Sequence, residues 1–268
     1  MMKNAKNGNS GIFSDMLKSP HCFSTRLGGV STEEHTSSLN LAFGRGDTDE
    51  TVLENLATFA DFASFDPESI VSVPQIHSAE VFTVDSSHRG MGYFRKADFS
   101  CDGYVTNCYE VTLGVKTADC VPILLEARDT DGEVIAVSAL HAGWRGTAAR
   151  IAEVGVMRLK ELGADPERIF AAIGPCIGQC CFEVGDECRG ELSKIDAALI
   201  KKGENGKFFP DLAPLNRRVL EQSGVPSENI DTFGLCTFCE KDLFYSHRRQ
   251  NGVRGTHLSV IRMPNKNL

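Results

Sequence analysis

Six short strand-like segments crowd the middle of this chain, and they constrain its fold more than any other feature. Residues 70–73, 81–84, 103–106, 111–116, 121–125 and 134–140 are β-branched runs with turn residues between them. Further runs at 169–173, 230–235 and 258–261 read as strands, the last two closing the sheet system. Helical periodicity appears at 47–63, where Asp47 or Thr48 can cap and Val52, Leu53, Leu56, Phe59 and Ala60 recur on one face. A second helix is expected over 147–162, with Ile151, Val154, Met157 or Val156, and Leu159 inward and Gly163 beyond its end. Others are expected near 184–200 and 212–223. Helices do not alternate strictly with strands. That pattern predicts an α+β class, a layered α/β sandwich with mixed sheets, rather than a doubly wound parallel sheet. No break in composition divides the chain, so the expectation is a loose polar segment over 1–20 and a single domain over 21–268.

Charge and composition narrow the class further. Lys and Arg number 28 against 36 Asp and Glu, a net charge of −8, so the chain lacks a basic nucleic-acid footprint. An anionic substrate needs a local cluster of cations working against that global field. No apolar run approaches the roughly 18 residues of a membrane helix, and the first residues lack the apolar core of a signal peptide. Ten cysteines are scattered through the chain, several in apolar runs, which fits reduced thiols and a cytoplasmic location.

Three segments carry candidate chemistry. His77 lies in PQIHSAEV, Cys120 in VKTADCVPILL, and His141 in AVSALHAGWRG. Two imidazoles and a thiolate make a zinc ligand set with a fourth position open for water or substrate, copper being the competitor ion. Their spacing is too long for sequence alone to bring them together. Asp119, beside Cys120, reads as an orienting group or proton carrier, or simply as a turn hydrogen bond. In HAGWRG, Gly143 and Gly146 permit close backbone approach and Arg145 offers a fork for an oxyanion. Trp144 either stacks on a base or packs in the core. Arg26, before Gly28 and Gly29, marks a second candidate anion-binding turn or a hairpin. Cys236 and Cys239 form a lone CxxC. With no second CxxC, and with Cys180 and Cys181 adjacent, the expectation is packing thiols among Leu235, Phe238, Leu243 and Phe244.

In order along residues 22–262 stand FSTRLGGVS, LNLAFG, QIHSAEV, DGYVTN, VKTADCVPILL, ALHAGWRGTAARI, IGPCIGQCCFEVG, LAPLNRRVL, GLCTFCEKDLFYSHRR and GTHLSVI. This series resembles the YfiH/YlmD-like family, also called the laccase-domain or polyphenol oxidase family, whose human relative is FAMIN. The resemblance implies a layered fold grouped with a cysteine-hydrolase domain. It implies one metal site, zinc in most members and copper in some, with ligands falling on His77, Cys120 and His141. It also implies purine nucleosides and phosphate as partners: phosphorolysis of adenosine, inosine and methylthioadenosine, and deamination of adenosine. Phe182 stands where the family usually has Tyr, so a hydroxyl is missing there.

On that reading Cys120, His141, Asp119 and Arg145 are the catalytic candidates, and Arg26, Arg145 and Trp144 the substrate- or phosphate-binding ones. A homodimer is left open. The rival enzyme class is a cysteine hydrolase or amidase acting on a peptidoglycan precursor, with Cys120 as nucleophile and His77 or His141 as base. A multicopper oxidase needs His-x-His pairs, and none of the seven histidines are so spaced, which leaves phenol oxidation only as a copper-dependent side activity. The last rival is a zinc-binding regulator without turnover.

Overall fold

In the computed structural model, residues 10–204 and 206–265 are described. The first half of the chain runs β1 (Gly11–Ile12), β2 (His21–Ser24), α1 (Asp49–Ala63), β3 (Ile70–Val71), β4 (Val81–Thr83), β5 (Gly103–Thr106), β6 (Thr112–Thr117), β7 (Val121–Arg128) and β8 (Val134–Ala142). The second half continues with α2 (Trp144–Ala148), α3 (Ile151–Glu161), β9 (Ile169–Ile173), α4 (Asp186–Asp196), β10 (Ile200–Lys202), β11 (Phe208–Pro210), α5 (Leu212–Gln222), β12 (Ile230–Thr232) and β13 (His257–Arg262). One sheet has five strands in the order β1-β2-β13-β6-β3, and a second has six in the order β12-β9-β7-β8-β5-β4. Both are mixed: β3 runs parallel to β6, β4 to β5 and β12 to β9, while the other pairings in these sheets are antiparallel.

The period-two alternation of the strands decides how the layers stack. In β7, Ile123 and Leu125 face α3, α4 and α5, while Leu124 turns to the opposite face and meets the other sheet. In β13, Ile261 enters that inter-sheet core, while Leu258 and Val260 face α1. The result is a four-layer α/β/β/α sandwich, and Leu124 is fully buried at its middle. Truncating such a residue to Ala costs on the order of 2–5 kcal/mol.

Two expectations need correction. The helix expected over 147–162 is two helices, because Arg150 between them adopts a left-handed φ of 60°. In α3 it is Val156 that is buried, while Met157 is 55% exposed. The loose segment expected over 1–20 is ordered from residue 10 on. Gly11–Ile12 pairs with β2, and Ser14, Leu17 and Ser19 are buried. Residues 1–9 lie outside the described residues.

Connections matter more for function than layers. The β3–β4, β5–β6 and β6–β7 links each carry the chain from one sheet to the other. His77 sits in the first of these crossovers and Cys120 in the last.

Candidate metal centre

His141 is the second-last residue of β8, where register decides its neighbours. Pro122 pairs with His141 and Val121 with Ala142, so Cys120 comes alongside the end of β8. On the other side of β8, Gly103 pairs with Leu140, which sets Asp102 against His141. The His141 backbone N–H donates to the Asp102 carbonyl at 2.7 Å, and its Nδ1 lies 2.8 Å from Asp102 Oδ1. A carboxylate on Nδ1 fixes the tautomer and leaves Nε2 free for a ligand.

The same carboxylate builds the His77 turn. It accepts the N–H groups of Ile76, His77 and Ser78 at 3.2, 3.0 and 2.6 Å, and the Ser78 hydroxyl at 2.9 Å. These bonds hold His77 at a φ of 60°, a conformation uncommon for a non-glycine residue. Gln75 anchors the turn to β6 through a reciprocal pair of bonds with the Lys116 backbone.

His77, Cys120 and His141 therefore converge, with their ligand atoms all within 4.8 Å of one another. Cys120 Sγ is 4.0 Å from His77 Nε2, and the imidazoles meet edge-on with centroids 4.9 Å apart. Ligands on a tetrahedral zinc stand about 3.3–3.6 Å apart, so a small contraction closes this set on an ion. Gly143 lies against all three: a Cβ there would come 3.0 Å from His77 Cδ2, 3.2 Å from Cys120 Sγ and 3.8 Å from His141 Cε1. The donor set and this side-chain-free floor fit a metal.

Electrostatics follow from the same contacts. Burial opposes the Asp102 charge, but the His141 and Ser78 bonds outweigh it and hold the carboxyl at about 2. Burial also opposes charge on Cys120 and His141. Their mutual attraction, with help from His77 on the thiol and Asp102 on the imidazole, brings the thiol down to about 6 and the imidazole up to about 9.

The other sequence candidates are placed differently. Asp119 is buried and fully engaged: it accepts the Thr237 hydroxyl at 2.6 Å, the Ser246 hydroxyl at 3.0 Å and the Arg248 N–H at 2.7 Å. It ties distant loops beside Cys120. Arg26 spends its guanidinium on the carbonyls of Ser37, Lys241 and Glu34 and stacks on Tyr245, leaving little for an anion. Trp144 is partly buried against the helix-side core, and the exposed Arg145 lies over its ring at 4.2 Å. The helix they open is only five residues long, too short to present an N-terminal anion site.

Sequence reasoning missed Asp102 and a cluster of cations. Lys116, at the end of β6, is brought down to about 8 by burial and by the charge of Arg45. Arg254, shortly before β13, is brought down to about 10 by burial and Arg45, with Asp119 and Cys120 opposing. Its Nε is buried without a hydrogen-bond partner among the described residues. These cations come from separate segments, so no local pattern announces them.

A further correction concerns Cys236 and Cys239. They are not isolated packing thiols, because Cys180 and Cys181 meet them, with all four sulfurs within 4.8 Å.

A two-sheet sandwich carrying a histidine and a cysteine at its crossovers and a second histidine at a strand end defines a class that comparison with known proteins makes specific. A family profile described as "Multi-copper polyphenol oxidoreductase laccase" matches residues 20–264, and the chain belongs to this YfiH/YlmD-like family. It is 37% identical over 243 residues to "Adenosine deaminase RL5" from an unknown prokaryotic organism, covering 88% of this chain and 91% of the relative. It is 35% identical over 247 residues to "Purine nucleoside phosphorylase YlmD" of Bacillus subtilis, covering 90% and 87%. The crystal structure of YlmD from Geobacillus stearothermophilus superposes with a TM-score of 0.84 at 34% identity, covering 91% of this chain and 92% of that one. No described helix is long and apolar enough to cross a membrane.

Proposed function

We propose that this chain is a zinc-dependent purine nucleoside enzyme, acting by phosphorolysis and by deamination of adenosine. The observation that carries this reading is the convergence of His77, Cys120 and His141 on Gly143, with Asp102 fixing the His141 ring and the backbone turn that carries His77. The names of the RL5 and YlmD relatives supply the substrate class. Zinc held there would supply a Lewis acid that makes water nucleophilic near neutral pH and polarises a phosphate oxygen.

The chain's own residues divide the remaining work. Asp102 keeps His141 in one tautomer and holds the His77 turn, so the ligand geometry exists before substrate arrives. Arg45 repels both Lys116 and Arg254, and an anion among them relieves that repulsion. Phosphate is the anion phosphorolysis needs: its oxygen bonds ribose C1′ as the bond to the purine nitrogen breaks, and the purine leaves with a proton. In deamination, water adds at purine C6 and ammonia leaves. Arg254, with its unpartnered Nε, is the leading phosphate ligand, and Arg145 is a second, exposed arm.

One observation favours a second reading. Asp102, His141 and Cys120 also line up as orienter, base and thiol, the arrangement of a cysteine hydrolase. Turnover of adenosine with and without phosphate, before and after chelation, separates the two. The zinc reading expects both activities to fall on chelation and return with zinc. Hydrolysis of an amide or ester undiminished by chelation, with no nucleoside turnover, overturns it. Arg254→Gln is expected to raise the KM for phosphate by about tenfold, the size of one charge-assisted hydrogen bond, and to spare deamination.

A further inference from the structure

Cys180 and Cys181 lie in the turn between β9 and α4, and Cys236 and Cys239 in the loop after β12. Nearly sixty residues separate the pairs, but a parallel bridge between Cys176 and Cys236 lays the two loops side by side. The Thr237 N–H donates to the Cys176 carbonyl at 2.9 Å, closing that junction. Each pair then sits on a single tight turn. The N–H groups of Cys181 and Phe182 return to the Gly178 carbonyl, and those of Cys239 and Glu240 to the Cys236 carbonyl.

Cys239 Sγ is 3.5 Å from Cys181 Sγ and 3.7 Å from Cys180 Sγ. Bound at about 2.3 Å, sulfurs on a tetrahedral zinc stand about 3.8 Å apart, whereas a disulfide would bring two of them to about 2.05 Å. The sulfurs here are spaced as a ligand cage. A second, independent feature points the same way. Cys236 Sγ accepts the Gly178 N–H at 3.2 Å, and the backbone N–H groups of Phe238 and Cys239 also turn toward it. Backbone donors aimed at one sulfur stabilise a thiolate, which is the ligand form of cysteine. Gly178 leaves room for this: a Cβ there would come 3.2 Å from Cys236 Cβ and 3.3 Å from Cys180 Sγ. Arg249 contributes positive charge beside the excess negative charge such a site carries, its guanidinium bonded to the carbonyls of Thr237, Phe238 and Phe244.

We infer that Cys180, Cys181, Cys236 and Cys239 bind a second divalent ion, a structural zinc held by four thiolates. Four sulfurs in a closed tetrahedral set suit zinc and leave no position open for substrate. The ion staples the 176–181 loop to the 236–239 loop. Thr237 lies between the last two ligands and donates to Asp119, so the staple also braces the wall beside Cys120.

Metal analysis of full-length protein tests this separately from the nucleoside site. A His77→Ala, Cys120→Ala variant is expected to retain about one zinc per chain, with X-ray absorption showing a shell of sulfur alone. A Cys236→Ser, Cys239→Ser variant is expected to lose one equivalent relative to the parent. Should that variant fail to fold, the first variant still decides. Loss of all metal from the His77→Ala, Cys120→Ala protein while it remains folded overturns the proposal. So does a mixed nitrogen and sulfur shell, iron in place of zinc, or an intact mass showing Cys239 in a disulfide with Cys180 or Cys181.

Discussion

Asp102 and Asp119 are both buried carboxylates next to a sheet crossover, yet they serve different parts of the molecule. Asp119 precedes the ligand Cys120 in sequence, but its oxygens hold Thr237, Ser246 and Arg248. Asp102 is 18 residues from Cys120 and 39 from His141, but its oxygens hold the His77 turn and the His141 ring. The difference is one of register. A strand end reaches across the sheet to its partner's end, so the residue that orients a ligand is the one paired beside it, not the one preceding it.

Asp102→Asn gives the largest effect. The amide keeps the shape but puts a donor or a weaker acceptor against three N–H groups and an imidazole. Affinity for metal at the His77–Cys120–His141 centre is expected to fall on the order of 10- to 100-fold, as for other partners that orient a metal's ligands, with turnover falling in step. Competition with a chelator of known affinity measures it, and unchanged affinity breaks the comparison.

Asp119→Asn is expected to do the reverse. Metal affinity at that centre stays, while stability drops by about 1–3 kcal/mol because donors from Thr237, Ser246 and Arg248 lose a charged acceptor. Thermal unfolding, with hydrogen exchange across 236–249, checks this. A metal loss equal to that of Asp102→Asn would make the carboxylates equivalent.

Gly143→Ala sharpens the claim that the backbone floor belongs to the site. The new methyl presses His77 and Cys120, so metal affinity is expected to fall several-fold at most. Gly185→Ala, where nothing lies within 4 Å, serves as the control and should leave it unchanged.

The smallest effect is in acid. Asp102 is held at about 2, below the ordinary value near 3.9, so its folded-state advantage is complete above about pH 4. It is lost as pH falls from there through 2. Protein stripped of metal at the His77 centre should lose stability across that window more steeply than stripped Asp102→Asn does. Denaturant titrations at stepped pH provide the comparison, and parallel slopes would contradict the assignment.

Much of the fold was legible because alternation and turn residues are local signals. The runs at 103–106 and 169–173 coincide with β5 and β9, and the helix expected at 47–63 begins at Asp49 behind Thr48. The helix break at Arg150 was not legible, because a left-handed arginine leaves no mark in a periodic pattern. His77, Cys120 and His141 stood out by donor chemistry and by resemblance. Asp102 needed the β5–β8 register. Lys116, Arg254 and the four cysteines needed contacts between segments that no spacing rule links.

The account rests on His77, Cys120 and His141 sharing one ion. Anomalous diffraction at the zinc edge from crystals of zinc-loaded protein tests this most directly. The predicted result is a peak within bonding distance of the Nε2 atoms of both histidines and of Cys120 Sγ, with Asp102 on the far side of the His141 ring. The contradicting result is no peak among those three atoms in crystals whose protein still turns over adenosine.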